Sequence, residues 1–523
     1  MHLRTAIACA ALLGGTFVAL SGPTAQAATA RYEAETSPAV CTGAIESDWT
    51  GYSGSGFCNA TNATSGYAQF TVTSSAAGTA TVSVRFANGT TTARPANIIV
   101  NGTTVSTASF EGTGTWTGWT TKTLTVPVNS GSNTIRLSPT TATGLPNVDH
   151  LEATTPDGGT TPPASGALYV SPSGTAGAAG TIDAPTTLAS AIGKVSSGGT
   201  IYLRGGTYNH STTVTIPAGS NGTPSARTTL AAYAGETPVL NFSAQTEASS
   251  NRGLQLNASY WHIKGLVVER AGDNGIYVGG SNNVIERTVT RYNRDTGLQL
   301  GRMASTTPNS EWPANNLILS AESHDNADSD GEDADGFGAK LTTGSGNVFR
   351  YAVSHNNIDD GWDLYTKTDT GAIGPVTIED SLAYDNGTLS DGTTAGNGDR
   401  NGYKLGGDGI AVNHIVKRSI AFENGKHGFT FNSNPGTMTI SNNLSIANTE
   451  RNFNFDGGTS VFRNNTSCNS GSSDRYVGNA DSSNQFWSGT NGSRCTAYNG
   501  ALGWSFTSNG TLVVTIGGTK VTL

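Results

Sequence analysis

A chain of 523 residues with a formal net charge of −9 and only 13% charged residues has no basic surplus with which to hold nucleic acid. Its 68 glycines, accompanied by much Ser, Thr and Asn, argue against long helices and for many short strands closed by tight turns. The length exceeds one ordinary domain unless a solenoid stretches a single unit.

The chain opens with Arg4, an apolar run from Ala6 to Leu20 and the small-residue triplet Ala25-Gln26-Ala27. This is the pattern of a secretory signal over residues 1–27, with cleavage before Ala28. No later segment offers the ~20 consecutive apolar residues of a membrane span. A secreted, extracellular monomer with no membrane and no nucleic-acid partner is expected. Cys9 leaves with the signal, and the other cysteines fall into two local groups, Cys41 with Cys58 and Cys468 with Cys495. An oxidising compartment implies two local disulfides, the alternative being four unpaired thiols, because spacing alone does not fix connectivity.

Residues 31–153 read as one β-sandwich. Alternating stretches at Ala68 to Val72, Thr81 to Phe86, Asn97 to Val100 and Thr134 to Leu137 are half-buried strands, with turns such as Asn88-Gly89 and Asn101-Gly102 between them. Tyr32-Glu33-Ala34-Glu35 opens this domain and Asn147-Val148-Asp149-His150-Leu151 closes it. Pairing of these ends would unite Glu33, Glu35 and Asp149 in a set suited to a structural calcium ion. Residues 154–166, rich in Thr, Pro and Gly, cannot bury apolar surface and form a linker.

From residue 167 to 523 a repeat takes over, after a short helix predicted over Thr186 to Val195. Gly275-Ile276-Tyr277-Val278, Gly297-Leu298-Gln299-Leu300, Gly361-Trp362-Asp363-Leu364, Gly402-Tyr403-Lys404-Leu405 and Gly428-Phe429-Thr430-Phe431 are each a turn glycine followed by an alternating strand. Gly275 to Gly297 and Gly402 to Gly428 bracket a period of about 22 to 26 residues. Polar corners ending in Asn293, Asn326, Asn356, Asn386, Asn424 and Asn448 predict a stacked ladder of side-chain amides. Strands at this period without an intervening helical pattern indicate an all-β solenoid, a parallel β-helix; a leucine-rich repeat would space Leu and Asn differently.

Charge concentrates on adjacent coils. Asp333-Ala334-Asp335-Gly336 and Asp359-Asp360-Gly361-Trp362-Asp363 precede or enter successive strands, and equivalent positions of a solenoid stack about 4.8 Å apart. Asp335, Asp359, Asp360 and Asp363 would then repel one another unless a hard divalent cation such as Ca2+ joined them. The competing reading is a set of solvated turn aspartates. Lys404 occupies the place in its repeat that Asp363 holds in the preceding one. Stacked over a cation, its ammonium form would be disfavoured, its pKa depressed and the amine made a usable base. Arg400 is a candidate for gripping a substrate carboxylate, or a structural salt bridge. His324, His355, His414 and His427 have no acidic partner at short range and are read as packing residues.

Ala334-Asp335-Gly336-Phe337, the run from Asn356 to Lys367 and Arg400-Asn401-Gly402-Tyr403-Lys404-Leu405-Gly406-Gly407 resemble the family 9 polysaccharide lyases, from roughly Ala167 to the C-terminus. The resemblance implies a right-handed parallel β-helix with Asp335, Asp359, Asp360 and Asp363 as calcium ligands and Lys404 as Brønsted base. The implied reaction is β-elimination on polygalacturonate (pectin), leaving a 4,5-unsaturated uronate. Alternatives are a lyase of rhamnogalacturonan or another uronate polymer, a polygalacturonase with paired carboxylates and no calcium, and a non-catalytic polysaccharide-binding protein. The ends of the front domain, with Gly51 to Gly56, Val84 to Gly89 and Trp116-Thr117-Gly118-Trp119, resemble carbohydrate-binding modules of families 6 and 35. There the resemblance implies sugar contacts at Tyr52, Arg94, Trp119 and Asn147, Arg94 favouring a uronic acid.

Overall fold

A computed structural model describes residues 29–74, 78–129, 131–155, 166–394 and 396–523. The signal expected over residues 1–27 and residues 156–165 of the linker lie outside the described residues. The chain divides into two compact units, Met1–Pro162 and Pro163–Leu523.

In the first unit, two antiparallel sheets face each other. One orders Ala44–Glu46, Phe57–Asn59, Asn147–Thr154, Gly78–Ala87 and Thr120–Val128, with Thr29–Glu33 also on Asn147–Thr154; the other orders Val40–Cys41, Ala68–Ser74, Gly131–Pro139, Arg94–Val100 and Thr103–Phe110. Strict alternation decides which face is buried: Phe70 and Val72 of one sheet and Val82, Val84 and Phe86 of the other share one core. The Cys41–Cys58 disulfide ties a strand of one sheet to a strand of the other. First and last strands pair as expected, with Glu33 opposite His150.

The second unit is a parallel β-helix of three sheets with twelve, ten and ten strands, each strand paired in register to its equivalent in the next coil. Inward positions therefore stack like on like. Ile263, Ile285, Ile318, Phe349, Ile378 and Val416 form one column in the first sheet. In the third sheet the rings of Phe337, Trp362, Tyr403, Phe429 and Phe453 stack with centroids 4.9, 4.8, 4.6 and 5.1 Å apart. The predicted helix forms at Leu188–Lys194, capped by the Thr187 hydroxyl, and places Leu188, Ala191 and Ile192 over the apolar interior.

The amide ladder runs through Asn293, Asn326, Asn357, Asn386, Asn424, Asn448 and Asn452, each Nδ2 donating to the next Oδ1 at 2.7 to 2.9 Å. Its third member is Asn357, not Asn356. Asn356 is the left-handed corner residue (φ 50°) aligned with Asp325 and Asp385, and its amide donates instead to Thr388 O. The ladder also explains the turn glycines. A Cβ on Gly361 would lie 2.9 Å from Asn386 Nδ2 and 2.5 Å from Gly402 O, and one on Gly402 would lie 2.9 Å from Asn424 Nδ2. Only a residue without a side chain passes behind the amides, so the residues just before each glycine are held at fixed positions.

The solenoid stops short of the C-terminus. Leu502–Phe506, Leu512–Ile516 and Thr519–Lys520 form an antiparallel meander, turned at Asn509-Gly510 and Gly517-Gly518, where a continued helix was expected. Its apolar side, with Val514 and Ile516, packs with Val353, Leu382, Ile420 and Leu444 of the second sheet. The Cys468–Cys495 disulfide fastens the connecting segment to the last strand of that sheet.

Candidate functional site

On the third sheet, one outward row reads Gln255, Tyr277, Gln299, Gly338, Asp363, Lys404 and Thr430, coil after coil. Lys404 thus stacks directly on Asp363, as the sequence register implied. The turns that lead into these strands bring the other acids alongside. Carboxylate oxygens of Asp335, Asp359 and Asp360 lie within 4.8 Å of one another, all three residues buried.

Two lysines are threaded among these acids. Lys404 Nζ lies 3.1 Å from Asp360 Oδ2, 3.9 Å from Asp363 Oδ2 and 3.1 Å from Asp399 Oδ2. Lys340 Nζ donates to Asp335 Oδ2 at 2.6 Å and lies 3.5 Å from Asp363 Oδ2. The backbone fixes the rest. Asn401 N and Nδ2 both donate to Asp360 Oδ1, at 2.6 and 2.8 Å, Arg400 N donates to Asp359 Oδ1 at 3.1 Å, and Asp360 N donates to Asp335 Oδ1 at 3.2 Å.

The electrostatics follow from crowding acids in a dry place. Burial, then the neighbouring carboxylates, raise Asp335 and Asp359 well above the usual range and push Asp360 up to about 6. The expected depression of the Lys404 pKa presupposes a bound cation; the chain's own groups act in the other direction. Burial alone would lower its pKa, but Asp363, Asp360, Asp359 and Asp335 outweigh burial and raise it. Without a cation, the carboxylates hold this amine as an ammonium ion. Asp363 Oδ1 is buried with no hydrogen-bond donor, and Asp360 Oδ2 has only the Lys404 ammonium, at 3.1 Å. Three clustered carboxylates, with Asp363 beside them, are the donor type that a hard divalent cation takes.

Arg400 has a left-handed backbone (φ 61°), and its stem packs where side chains on Gly387 and Gly425 would otherwise fall. Its Nε is buried without a partner, and among the described residues it makes no ion pair, so the structural salt bridge considered for it is absent. The sequence reading missed Lys340, Asp399 and Lys426. Asp399 bridges Lys404 and Lys426, the latter at 2.7 Å. Lys340 was legible as the lysine ending the strand segment that follows Asp335; Asp399 sits in an insertion with no repeat partner.

Three of the four singled-out histidines do have acids nearby. His324 Nδ1 is 2.7 Å from Asp325, His355 Nε2 is 3.2 Å from Glu322 and His427 Nε2 is 3.6 Å from Glu450, which corrects the expectation of no nearby acid. His324 and His355 stack at 4.9 Å on the second sheet, and burial pushes His414 down to about 3 and His427 to about 4, so both are neutral at pH 7.

The family model described as Pel9A-like, right handed beta helix region, matches residues 168–467. The chain belongs to the Pel9A-like β-helix family of pectate lyases. It is 58% identical over 326 residues to Pectate lyase L of Paenibacillus polymyxa (strain SC2), covering 62% of this chain and 73% of that one. It is 47% identical over 292 residues to Pectate lyase L of Thermoclostridium stercorarium, covering 55% of this chain but only 23% of that longer protein. The crystal structure of pectate lyase Pel9A superposes with a TM-score of 0.56 at 32% identity, over 66% of this chain and 86% of that one. Members of the Pel9A-like family share this all-β solenoid, and in this chain the family match spans every residue of the acid and lysine cluster.

The front unit matches the model for carbohydrate binding module (family 6) over residues 29–155. Its expected acids converge on one loop. Ser53 Oγ donates to Glu33 Oε2 at 2.8 Å, Ser53 N to Asp149 Oδ1 at 2.9 Å and Ser55 N to Glu35 Oε1 at 2.8 Å. Gly54 between them is left-handed (φ 65°), and a Cβ there would fall 1.9 Å from Glu35 Oε1. His150 joins Glu33 and Asp149, Arg85 pairs with Asp149, and Glu35 Oε2 is buried without a partner.

The four expected sugar contacts separate into two groups. Tyr52 and Trp119 both lean on Phe57, at 5.7 and 5.3 Å, and Arg85 lies over Trp119. Arg94 instead lies 5.3 Å over Trp116 and donates to Leu145 O at 2.7 Å, two residues before the buried Asn147. The ring beside Arg94 is thus Trp116, which was not among the expected contacts, whereas the expected Trp119 sits with Phe57 and Arg85.

Proposed function

We propose that this chain is a secreted, calcium-dependent pectate lyase that cleaves polygalacturonate by β-elimination, with Lys404 as the base. The observation that carries this reading is the register of Lys404 on Asp363, which seats an amine among Asp360, Asp363 and Asp399 on an outward row of the sheet. Asp335, Asp359, Asp360 and Asp363 would hold the calcium ion. When bound, that ion supplies positive charge that offsets the carboxylates keeping Lys404 protonated and neutralises the substrate carboxylate next to C5.

The chain's own groups do the rest. Neutral Lys404 takes the C5 proton, the electron pair forms the C4–C5 double bond, and the C4–O4 bond breaks, the leaving oxygen gaining a proton from solvent. Asn401 and the Arg400 backbone fix Asp360 and Asp359, so the base and the acids keep one geometry through the reaction. Arg400, which makes no ion pair among the described residues, would take a substrate carboxylate. Hydrolysis by two carboxylates is disfavoured, because Asp335 is tied to Lys340 and Asp360 to Asn401 and Lys404. In the front module, Trp116 offers a ring face and Arg94 a cation, a pair suited to a uronate unit of the same polymer, and Glu33, Glu35 and Asp149 would hold a structural calcium.

The deciding assay follows the ultraviolet absorbance of the unsaturated uronate as the protein acts on polygalacturonate, with calcium and with chelator. A calcium-dependent rise that Lys404→Ala abolishes is expected. New reducing ends without that absorbance would mean hydrolysis and overturn the reading.

A further inference from the structure

On the N-terminal side of the acid cluster, along the same outward row, lies an open cleft of about 570 Å3 lined by Arg252, Tyr277, Gln299, Arg302, Lys367 and Asp369 among others. Three cations meet here on a chain whose formal charge is −9. Tyr277 organises the wall: its ring carries the Arg252 guanidinium at 3.4 Å, and its hydroxyl donates to Arg302 O at 2.9 Å. Arg252 is partly satisfied by Asp273 at 3.3 Å, whereas the side chains of Arg302 and Lys367 make no ion pair among the described residues.

The position of the cleft gives these cations a use. Gln299 is three coils and Tyr277 four coils from Lys404 in the row, or about 14 to 19 Å at ~4.8 Å per coil. Between Gln299 and Asp363 the row holds Gly338, which adds no side chain of its own and has Gln299 and Thr296 lying against it. Lys367 itself follows Asp363 by four residues on the metal-binding coil. A polymer lying along the row with its reacting unit at Lys404 reaches this cleft a few sugar units away.

We propose that the cleft is a distal subsite for a polyuronate, in which Arg302 and Lys367 hold carboxylates of units remote from the scissile bond and Tyr277 and Arg252 fix the wall. The proposal rests on the pectate reading of the Lys404 site. A guanidinium matches a carboxylate bidentately, and every unit of a polyuronate carries one. Such a subsite makes affinity depend on chain length, because short oligomers that fill the reacting centre do not reach it.

The test uses the full chain carrying Lys404→Ala, which does not consume its ligand, titrated in calcium with saturated oligogalacturonates of increasing length. Affinity is expected to rise with length, and Arg302→Gln with Lys367→Gln to weaken the longest oligomer about tenfold while changing the trimer less than about twofold. Arg302→Lys, which keeps the charge without the fork, should recover part of the loss. In the otherwise native chain the same pair should raise KM on polygalacturonate more than it lowers kcat. An unchanged length dependence in the double variant, or an equal loss for trimer and long oligomer, overturns the subsite and leaves the lyase reading standing. Failure of the native chain to form unsaturated product from polygalacturonate overturns the lyase reading itself.

Discussion

The turn between the second and third sheets carries two stacks of polar side chains, and they behave oppositely. Asn357 and Asp360 are three residues apart and both buried. The asparagine column satisfies itself, because each amide donates to the next and accepts from the last. The aspartate column cannot, because ionised carboxylates only accept, so stacking them accumulates charge until a cation intervenes. A solenoid that repeats amides builds a self-satisfied column; one that repeats carboxylates builds a charged column that favours a cation.

Exchanging one kind of residue for the other should have the largest effect. Asn386→Asp would set a buried carboxylate against Asn424 Oδ1, where the native amide donates at 2.9 Å. A loss of about 3 to 5 kcal/mol in a denaturant melt is expected, with no recovery on adding calcium, since that column lacks a ring of free acceptors. Recovery by calcium would mean that the two columns are interchangeable.

Lys340 tests the other column. Lys340→Met removes the cation that holds Asp335 and Asp363. The metal-free protein should lose about 3 kcal/mol at pH 8, and calcium should return most of it, read as thermal midpoints with and without chelator. An equal deficit in both conditions would make Lys340 a packing residue.

Asp360→Asn should move metal-free stability upward by about 2 kcal/mol near neutral pH while lowering activity at least about a hundredfold. The sign follows from the raised pKa of about 6. An acid whose folded-state pKa lies above its unfolded value stabilises the fold below the unfolded value and loses that contribution as pH rises through the folded one. Asp335 and Asp359 shift in the same direction. The stabilisation conferred by calcium should therefore grow between about pH 4 and pH 7 in the native chain, and grow less in the variant.

Much of this contrast was legible in the sequence. The turn glycines, the alternating strands and the acids just before Gly336 and Gly361 fix register locally, which is why Asp335, Asp360, Asp363 and Lys404 could be aligned without coordinates. What escaped were residues whose role depends on insertions or on a partner in another coil. Asp399 comes at the end of a long excursion between Asn386 and Gly402, and the C-terminal meander packs on a face that no repeat pattern reveals. The pKa of Lys404 is a balance that the sequence argument took only in part: it counted the effect of a bound cation, whereas the carboxylates alone raise it.

The smallest effect is expected within a single turn. Asn356 and Asn357 are adjacent and identical in chemistry, yet only Asn357 joins the ladder, bonding both Asn326 and Asn386. Asn357→Ala should cost about 2 to 3 kcal/mol, because it leaves buried amide groups on either side without partners. Asn356→Ala gives up the bonds to Thr388 O and to His355 Nδ1 at a half-buried corner, with an asparagine's tolerance of the left-handed backbone, and should cost about 1 to 1.5 kcal/mol. Both are read from the same denaturant midpoints. Equal costs would mean that the column is held by its corners and not by its amides, and the account of why carboxylates in the neighbouring column need a cation would lose its reference.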